Sequence, residues 1–406
     1  MFGIHLRNKI PKRYYSTNSR FIEHHYMLKD IVNKFSNDFI LPQSLEYNRD
    51  EKFNHNLFRK LGELGLFGVT VPEKYGGSEL DITTSCIIHE ELTQYDPGFC
   101  LAYMVHSILF CNNLYINGNE SQKMKYLPEA CKGNLIGSMC MSEPHAGTDV
   151  LSMKTFAEEK DNHYLLNGKK FWITNGCIDD NTLCDVSLVY AKTGEKKSDL
   201  SLFIVEKEME GFELGQRIKN KCGMRSSTSA ELLFDNVKIP KENLIGDKNK
   251  ALVCMMKNLE IERLCLSAMS IGMAKKSIEI MNDYSRERKA FNRNINQFGQ
   301  IQAYLADSYS EYSACRSYLY DISNNYNINH KKSQRIETDA IKLISSKMAT
   351  NVCDRAIQTL GGNGYCGEYI VERLWRDSKL IQIGGGTIES HQKNITKDLE
   401  KYDTLP

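Results

Sequence analysis

From Phe21 to about Lys132, apolar residues return at three- and four-residue intervals, as in Leu57, Leu61 and Leu64, a period that predicts amphipathic helices. The run Val71-Pro72-Glu73-Lys74-Tyr75-Gly76-Gly77 interrupts it as a turn, because proline fixes one dihedral and paired glycines relax the others. Helical spacing then resumes and carries residues 121–126 into Leu127-Pro128. Between about Gly133 and Gly246 the period shortens. Residues 164–168, 183–190, 200–205 and 230–234 are apolar or β-branched runs bounded by Gly, Asn, Asp and Lys, and they predict the strands of a β-barrel or sandwich. Long helical patterns return from Lys248, with turns at 324–332 and 361–364. Helices, then strands, then helices make an α+β chain by segregation. The expected units are a helical domain over 21–132, a β domain over 133–246 and a helical domain over 247–406.

Length supports that division, since 406 residues exceed one ordinary core. A net charge of +1 and the lack of a dense Lys/Arg block argue against a nucleic-acid surface, and Lys331-Lys332 reads as a solvated loop. No apolar run approaches the roughly 20 residues that span a bilayer. The 13 cysteines are scattered from Cys86 to Cys366 without Cys-x-x-Cys or paired Cys/His spacing, which speaks against a zinc site and for buried, reduced thiols in an interior compartment. Residues 1–20 carry Arg7, Lys9, Lys12, Arg13 and Arg20 and no acid, and they resemble a mitochondrial presequence cut near Arg13 to Ser16. Neither a phosphate-binding Walker loop nor Gly-x-Gly-x-x-Gly follows a predicted strand, so nicotinamide chemistry has little support.

The densest chemical signal lies over 139–176. One loop, Met141-Ser142-Glu143-Pro144-His145-Ala146-Gly147-Thr148-Asp149, ends on a Gly-Thr pair suited to a tight bend with free donors. The second, Trp172-Ile173-Thr174-Asn175-Gly176, offers an indole and, two residues on, a hydroxyl on the same side of a strand. Taken singly, these are a hairpin turn and a buried strand tryptophan.

At this spacing the two loops resemble the acyl-CoA dehydrogenase family, most closely its isovaleryl type, and the likeness runs from about Ile22 to Ile395. It implies an N-terminal helical domain, a middle β domain and a C-terminal four-helix bundle, with FAD as cofactor. By resemblance, Met139, Met141, Ser142, Gly147 and Thr148 would hold FAD from the first loop. Trp172, Ile173 and Thr174 would hold it from the second, with the indole over the ring. Arg288, in Arg288-Lys289-Ala290-Phe291, is similar to the arginine that reaches the FAD diphosphate across a subunit interface. Asn292 replaces the family glycine there, and a family glutamine aligns with Gly299, leaving Gln300 as its substitute. Gln358, Gly361 and Gly362 match a glycine turn that approaches a neighbouring subunit's FAD, and Gly386, Thr387 and Ile388 complete the implied cofactor set. A homo-oligomer, by family default a tetramer, follows from the resemblance. Gly223-Met224-Arg225-Ser226-Ser227 matches the family as well, with no chemistry assigned to it.

Removing a weakly acidic α-proton needs a carboxylate made more basic by desolvation. On the helix beginning near Lys250, Met255, Leu259, Glu262, Leu266, Met269 and Met273 share one face, so Glu262 interrupts an apolar stripe. Such a carboxylate either pairs with a base from another helix, turns its head to water, or does chemistry. The resemblance favours chemistry. Most relatives carry their catalytic Glu in Tyr-Glu-Gly-Thr; here the stretch is Ile383-Gly384-Gly385-Gly386-Thr387, with Gly385 at the Glu position, whereas isovaleryl and long-chain types place the Glu where Glu262-Arg263 falls. Thr148, Glu260, Arg263, Gly384 and Gly385 are the implied substrate contacts, the glycines leaving room for a branched acyl chain; Val253 stands where isovaleryl-type enzymes carry Tyr. The expected reaction converts isovaleryl-CoA to 3-methylcrotonyl-CoA in leucine catabolism in the mitochondrial matrix, with electrons passed to electron-transfer flavoprotein. The alternatives are a straight-chain or other branched-chain dehydrogenase, an acyl-CoA oxidase, or a non-catalytic scaffold of the same fold.

Overall fold

A computed structural model describes residues 21–327 and 334–401; the expected presequence and Lys331-Lys332 lie outside the described residues. The N-terminal part is helical: α1 (Glu23–Phe35), α2 (Leu41–Arg49), α3 (His55–Glu63), α4 (Ile82–Thr93), α5 (Pro97–Met104), α6 (Asn113–Asn117) and α7 (Glu120–Cys131). Short polar side chains start several of them. Asp81, Asp96 and Asn119 accept from the backbone N–H groups of Thr84, Phe99 and Gln122, which satisfies donors that a helix start leaves unpaired. α7 runs through Pro128 to Cys131, where the sequence pattern suggested an end.

A second departure concerns apolar length. α5 continues through the π-helical stretch Val105–Asn112 into α6, and this helix, Pro97–Asn117, is long and apolar enough to cross a membrane, contrary to expectation; 89% of its apolar window is buried inside the protein. Its polar groups are used locally. His106 accepts from the Gly137 N–H at 3.0 Å and reaches the Ala130 carbonyl at 2.9 Å, and the Thr70 hydroxyl donates to Asn112 at 2.6 Å.

The middle part is one eight-stranded sheet formed by β1 (Gly137–Cys140), β2 (Phe156–Glu159), β3 (His163–Thr174), β4 (Val186–Lys192), β5 (Leu200–Glu206), β6 (Phe212–Arg217), β7 (Ser229–Pro240) and β8 (Leu244–Ile245). The order is β6-β7-β3-β2-β4-β5-β8, with β1 running parallel to β4 off that path. All four predicted strands are present. β3 and β7 are longer than expected because a register shift at Lys170/Ile173 lets the pairing continue past the polar stretch. The four strands without a sequence signal are short or polar: β2 buries only Ala157 and β6 only Phe212.

The C-terminal part contains α8 (Ala251–Glu287), α9 (Gly299–Asn325), α10 (Arg335–Leu360), α11 (Gly362–Tyr365), α12 (Val371–Ile381) and α13 (Ile388–Leu399), with α10 central and packed on α8, α9, α12 and α13. The segment Gly223 to Ser227 ties the three parts together. Met224 N–H donates to Asp377 on α12 at 2.5 Å, the Ser226 hydroxyl donates to the α5 cap Asp96, and Arg373 donates to the Tyr95 carbonyl at 2.8 Å. All 13 cysteines are free thiols, and ten are buried.

Candidate active site

Desolvation sets the chemistry of Glu262. It lies on the buried face of α8 and is 7% exposed, and its Oε2 has no hydrogen-bond partner among the described residues. Burial pushes its carboxyl up to about 7, opposed by the positive charges of Arg263 and Lys342. Arg263 pairs instead with Asp339 at 3.0 Å. Glu262 is therefore neither ion-paired within 4.0 Å among the described residues nor turned to water, and the apolar stripe on which the sequence placed it is the buried face of α8. Unpaired, desolvated and titrating near neutrality, it suits general-base work.

Across from it is the loop after α12. Gly385 has φ +67°, and a Cβ built there would meet Leu266 Cδ1 at 2.3 Å and Glu262 Oε1 at 3.5 Å. The triple glycine thus brings bare backbone against the carboxylate. Lys342, fully buried on α10, secures this loop: its Nζ donates to the carbonyls of Ile381, Gly384 (3.0 Å) and Gly386 (3.5 Å). His391 lies between Asp339 (Nδ1, 2.6 Å) and the Gly386 carbonyl (Nε2, 3.0 Å). Thr387 caps α13 by accepting from Ser390 N–H, and Ile388 begins that helix. Glu260 turns elsewhere, towards the start of α10, where it accepts from Gln334 N–H at 3.2 Å and lies 3.5 Å from the Tyr326 hydroxyl.

The two loops of the β domain form an open shelf. Glu143 is its hidden post: buried, it accepts from Lys154 and Thr155 N–H groups and pairs with the fully buried Lys170 at 3.0 Å. Lys170 also donates to the Met141 carbonyl at 2.9 Å, and the Ser142 carbonyl accepts from Phe171 N–H. Burial alone would raise the Glu143 carboxyl, but Lys170 and the two N–H groups carry it below its usual value. So pinned, the loop leaves Gly147 and Thr148 exposed, and a Cβ on Gly147 would meet nothing within 4 Å. Trp172 follows the register shift with φ +59° and leaves 54% of its surface uncovered, beside a half-buried Thr174 and a buried Ile173. Met139 on β1 lies behind, its sulfur contacted by Asn113. An uncovered indole held in left-handed backbone, on a strand that pairs with the loop carrying an exposed Gly147, fits a flat aromatic ligand.

A third group lies apart. Arg288 follows the end of α8, roughly 39 Å from Glu262 at ~1.5 Å per residue along the axis. Arg288, Gln300, Gln358, Gly361 and Gly362 are all exposed, and Asn363 donates to Tyr284 of α8 at 3.0 Å, so the glycine turn packs near that same end. Phe291 and Tyr365 nearby are 90% and 84% exposed. Separately, His24, His25 and Asp81 gather three potential ligand atoms within 4.8 Å at the start of α4, where Asp81 caps the helix. Glu143, Lys170 and Lys342 were not singled out from sequence.

Comparison with known proteins agrees with this geometry. Profiles of the N-terminal, middle and C-terminal domains of acyl-CoA dehydrogenases match residues 22–134, 138–237 and 252–400. The chain is 39% identical over 373 residues to a mitochondrial isovaleryl-CoA dehydrogenase of Pongo abelii, covering 90% of this chain and 86% of that one. It is 39% identical over 378 residues to a mitochondrial 2-methylacyl-CoA dehydrogenase of Solanum tuberosum, covering 92% and 90%. A solved Bacillus anthracis acyl-CoA dehydrogenase, complexed with FAD, superposes with a TM-score of 0.88 at 31% identity, covering 96% of this chain and 68% of that one. The chain belongs to the acyl-CoA dehydrogenase family of FAD-dependent oxidoreductases.

Proposed function

We propose that the protein dehydrogenates a short branched-chain acyl-CoA, isovaleryl-CoA first among them, with Glu262 as the base. The observation that carries this is the pairing of an unpartnered buried carboxylate on α8 with glycine at 385. FAD, when bound, accepts the β-hydrogen of the substrate as hydride. Trp172, Gly147, Thr148 and Thr174 would hold its ring, with Met141, Ser142 and Ile173 forming the backbone behind it. Glu262 takes the α-proton at its carboxylate, whose water-free surroundings make it basic enough near neutral pH. Gly384 and Gly385 leave space beside the acyl α- and β-carbons, which favours a branch.

The distance between Arg288 and Glu262 supports a homo-oligomer, because a cofactor contact so far from this chain's own base fits the site of another copy better. Arg288, Gln300 and Gln358 to Gly362 then serve a neighbouring subunit, with a tetramer the arrangement implied by the family. The relatives' names support a mitochondrial location; a place in leucine catabolism, with electron-transfer flavoprotein as acceptor, is what the family resemblance implies. A 2-methyl-branched acyl-CoA is the second reading, favoured by the equally similar potato enzyme. Anaerobic addition of isovaleryl-, 2-methylbutyryl-, butyryl- and palmitoyl-CoA to the yellow holoenzyme tests the proposal: the fastest bleaching is expected with isovaleryl-CoA, and preference for palmitoyl-CoA refutes it.

A further inference from the structure

Lys342 is an unusual residue for the middle of a helix bundle. It is fully buried on α10, among Thr338, Asp339, Ile341 and Ser345, and its amine meets three backbone carbonyls of one loop. Carbonyls only accept. An ammonium has three N–H donors to match them, whereas a neutral amine has two, so the geometry selects the charged form. Those carbonyls belong to Ile381, Gly384 and Gly386, which bracket the glycine that faces Glu262. A glycine loop has no side chains of its own to fix its distance from the base, and Lys342 fixes it from beneath.

We propose that Lys342 is a positioning residue for the reaction: it clamps the Gly384-Gly385-Gly386 backbone against Glu262 and supplies a buried positive charge that opposes desolvation of that carboxylate. The inference rests on Glu262 being the base and deepens that reading.

Of the two positive charges that act on the carboxylate Arg263 is the stronger, and Lys342 is the one that also holds the glycine loop. Arg263, next on α8, is committed to Asp339 at 3.0 Å. Asp339 on α10 also holds His391 of α13, whose second nitrogen meets the Gly386 carbonyl. Cys265 on α8 and Tyr190 on β4 complete the titratable neighbours, and neither is a cation. Burial draws the Lys342 ammonium down to about 7, and the Glu262 carboxylate works against that fall.

Two substitutions separate the two roles. K342M removes charge and donors; K342Q removes the charge but keeps an amide donor for the loop. Flavin reduction by isovaleryl-CoA is followed anaerobically in a stopped-flow instrument across a pH series, with FAD absorbance and thermal melting as checks on folding. The midpoint of the pH–rate profile is expected to move up by about one unit in both variants, as for loss of a nearby opposite charge. The apparent Kd for isovaleryl-CoA is expected to rise several-fold more in K342M than in K342Q. Midpoints unchanged from the parent overturn the inference. So does failure of both variants to fold and retain FAD, which makes Lys342 a scaffold residue only. E262Q run alongside distinguishes the underlying reading: if it is still reduced at parental rates, the base is wrong rather than the clamp.

Discussion

Glu262 and Gly385 face each other across the gap between α8 and the loop after α12, with 3.5 Å between Glu262 Oε1 and the place where a Gly385 side chain would begin. The arrangement is mutually exclusive. A carboxylate attached at 385 would need the space that Leu266 and Glu262 already fill, and φ +67° strains any residue with a Cβ. The glycine at 385 is therefore what leaves room for the Glu262 carboxylate on the helix.

Replacing Glu262 by Gln is expected to leave FAD bound and to slow flavin reduction by roughly 10²–10⁴-fold, the usual worth of a general base. In the parent, reduction should rise tenfold per pH unit in the acid range and level off above about 7, since the ionised form is required. Stability moves the opposite way. The folded-state value lies above the ordinary 4.5, so the contribution of this group is intact below about 4.5 and is lost as pH rises through about 7. E262Q should thus melt higher than the parent in alkaline buffer, by on the order of 3 kcal/mol at most; an unchanged melting difference between acid and alkaline pH contradicts the burial argument.

Gly385→Ala is expected to cost about 1–3 kcal/mol through overpacking against Leu266. Leu266→Ala opens the space the new methyl needs, so the double variant should be more stable than the sum of the single effects allows. Urea denaturation of the four proteins measures the coupling, and strict additivity would show that the contact is absent.

Breaking the Glu143–Lys170 pair leaves one buried charge alone. K170M or E143Q is expected to destabilise the β domain by about 3–5 kcal/mol and to release FAD, because Met141 and the first loop lose their anchor. FAD retained on gel filtration together with a parental melting temperature refutes the anchoring role. As pH falls into the acid range, Glu143 protonates and the same stabilisation disappears.

Two glycines of the family-like loops should behave differently. A Cβ on Gly223 meets the Arg376 carbonyl oxygen at 2.6 Å and the Asp377 Cα at 2.7 Å, backbone that cannot step aside, so G223A should destabilise the fold. Gly147 faces open space, so G147A should leave apoprotein melting unchanged and weaken FAD binding only. Calorimetry of the apoproteins and FAD titration separate the two; equal losses in both variants disprove the distinction.

The helices and the proposed base were readable because α8 repeats its apolar residues at three and four, and a lone acid breaks that rhythm. The strands flanking the flavin shelf were readable where both neighbours bury them, as in β4 and β5. β6 was not, since it buries a single residue, Phe212, and is otherwise mostly polar or small. Lys342 escaped notice for a different reason: α10 buries Thr338, Asp339, Lys342, Ser345 and Ser346 alongside apolar residues, so its inner face has no contrast with its outer one. Buried pairs such as Glu143 and Lys170 depend on strand register, which a linear sequence does not display.

α12 has one more consequence. This helix of eleven residues, about 16 Å long, is gripped by the N-terminal part through Arg373 and Tyr95, by the β domain through Asp377 and Met224, and by α10 through Lys342, which donates to the Ile381 carbonyl. The three parts cannot swing on hinges about it without tearing buried hydrogen bonds. The glycine loop that follows α12 is consequently set against Glu262 when the chain folds, before any ligand arrives.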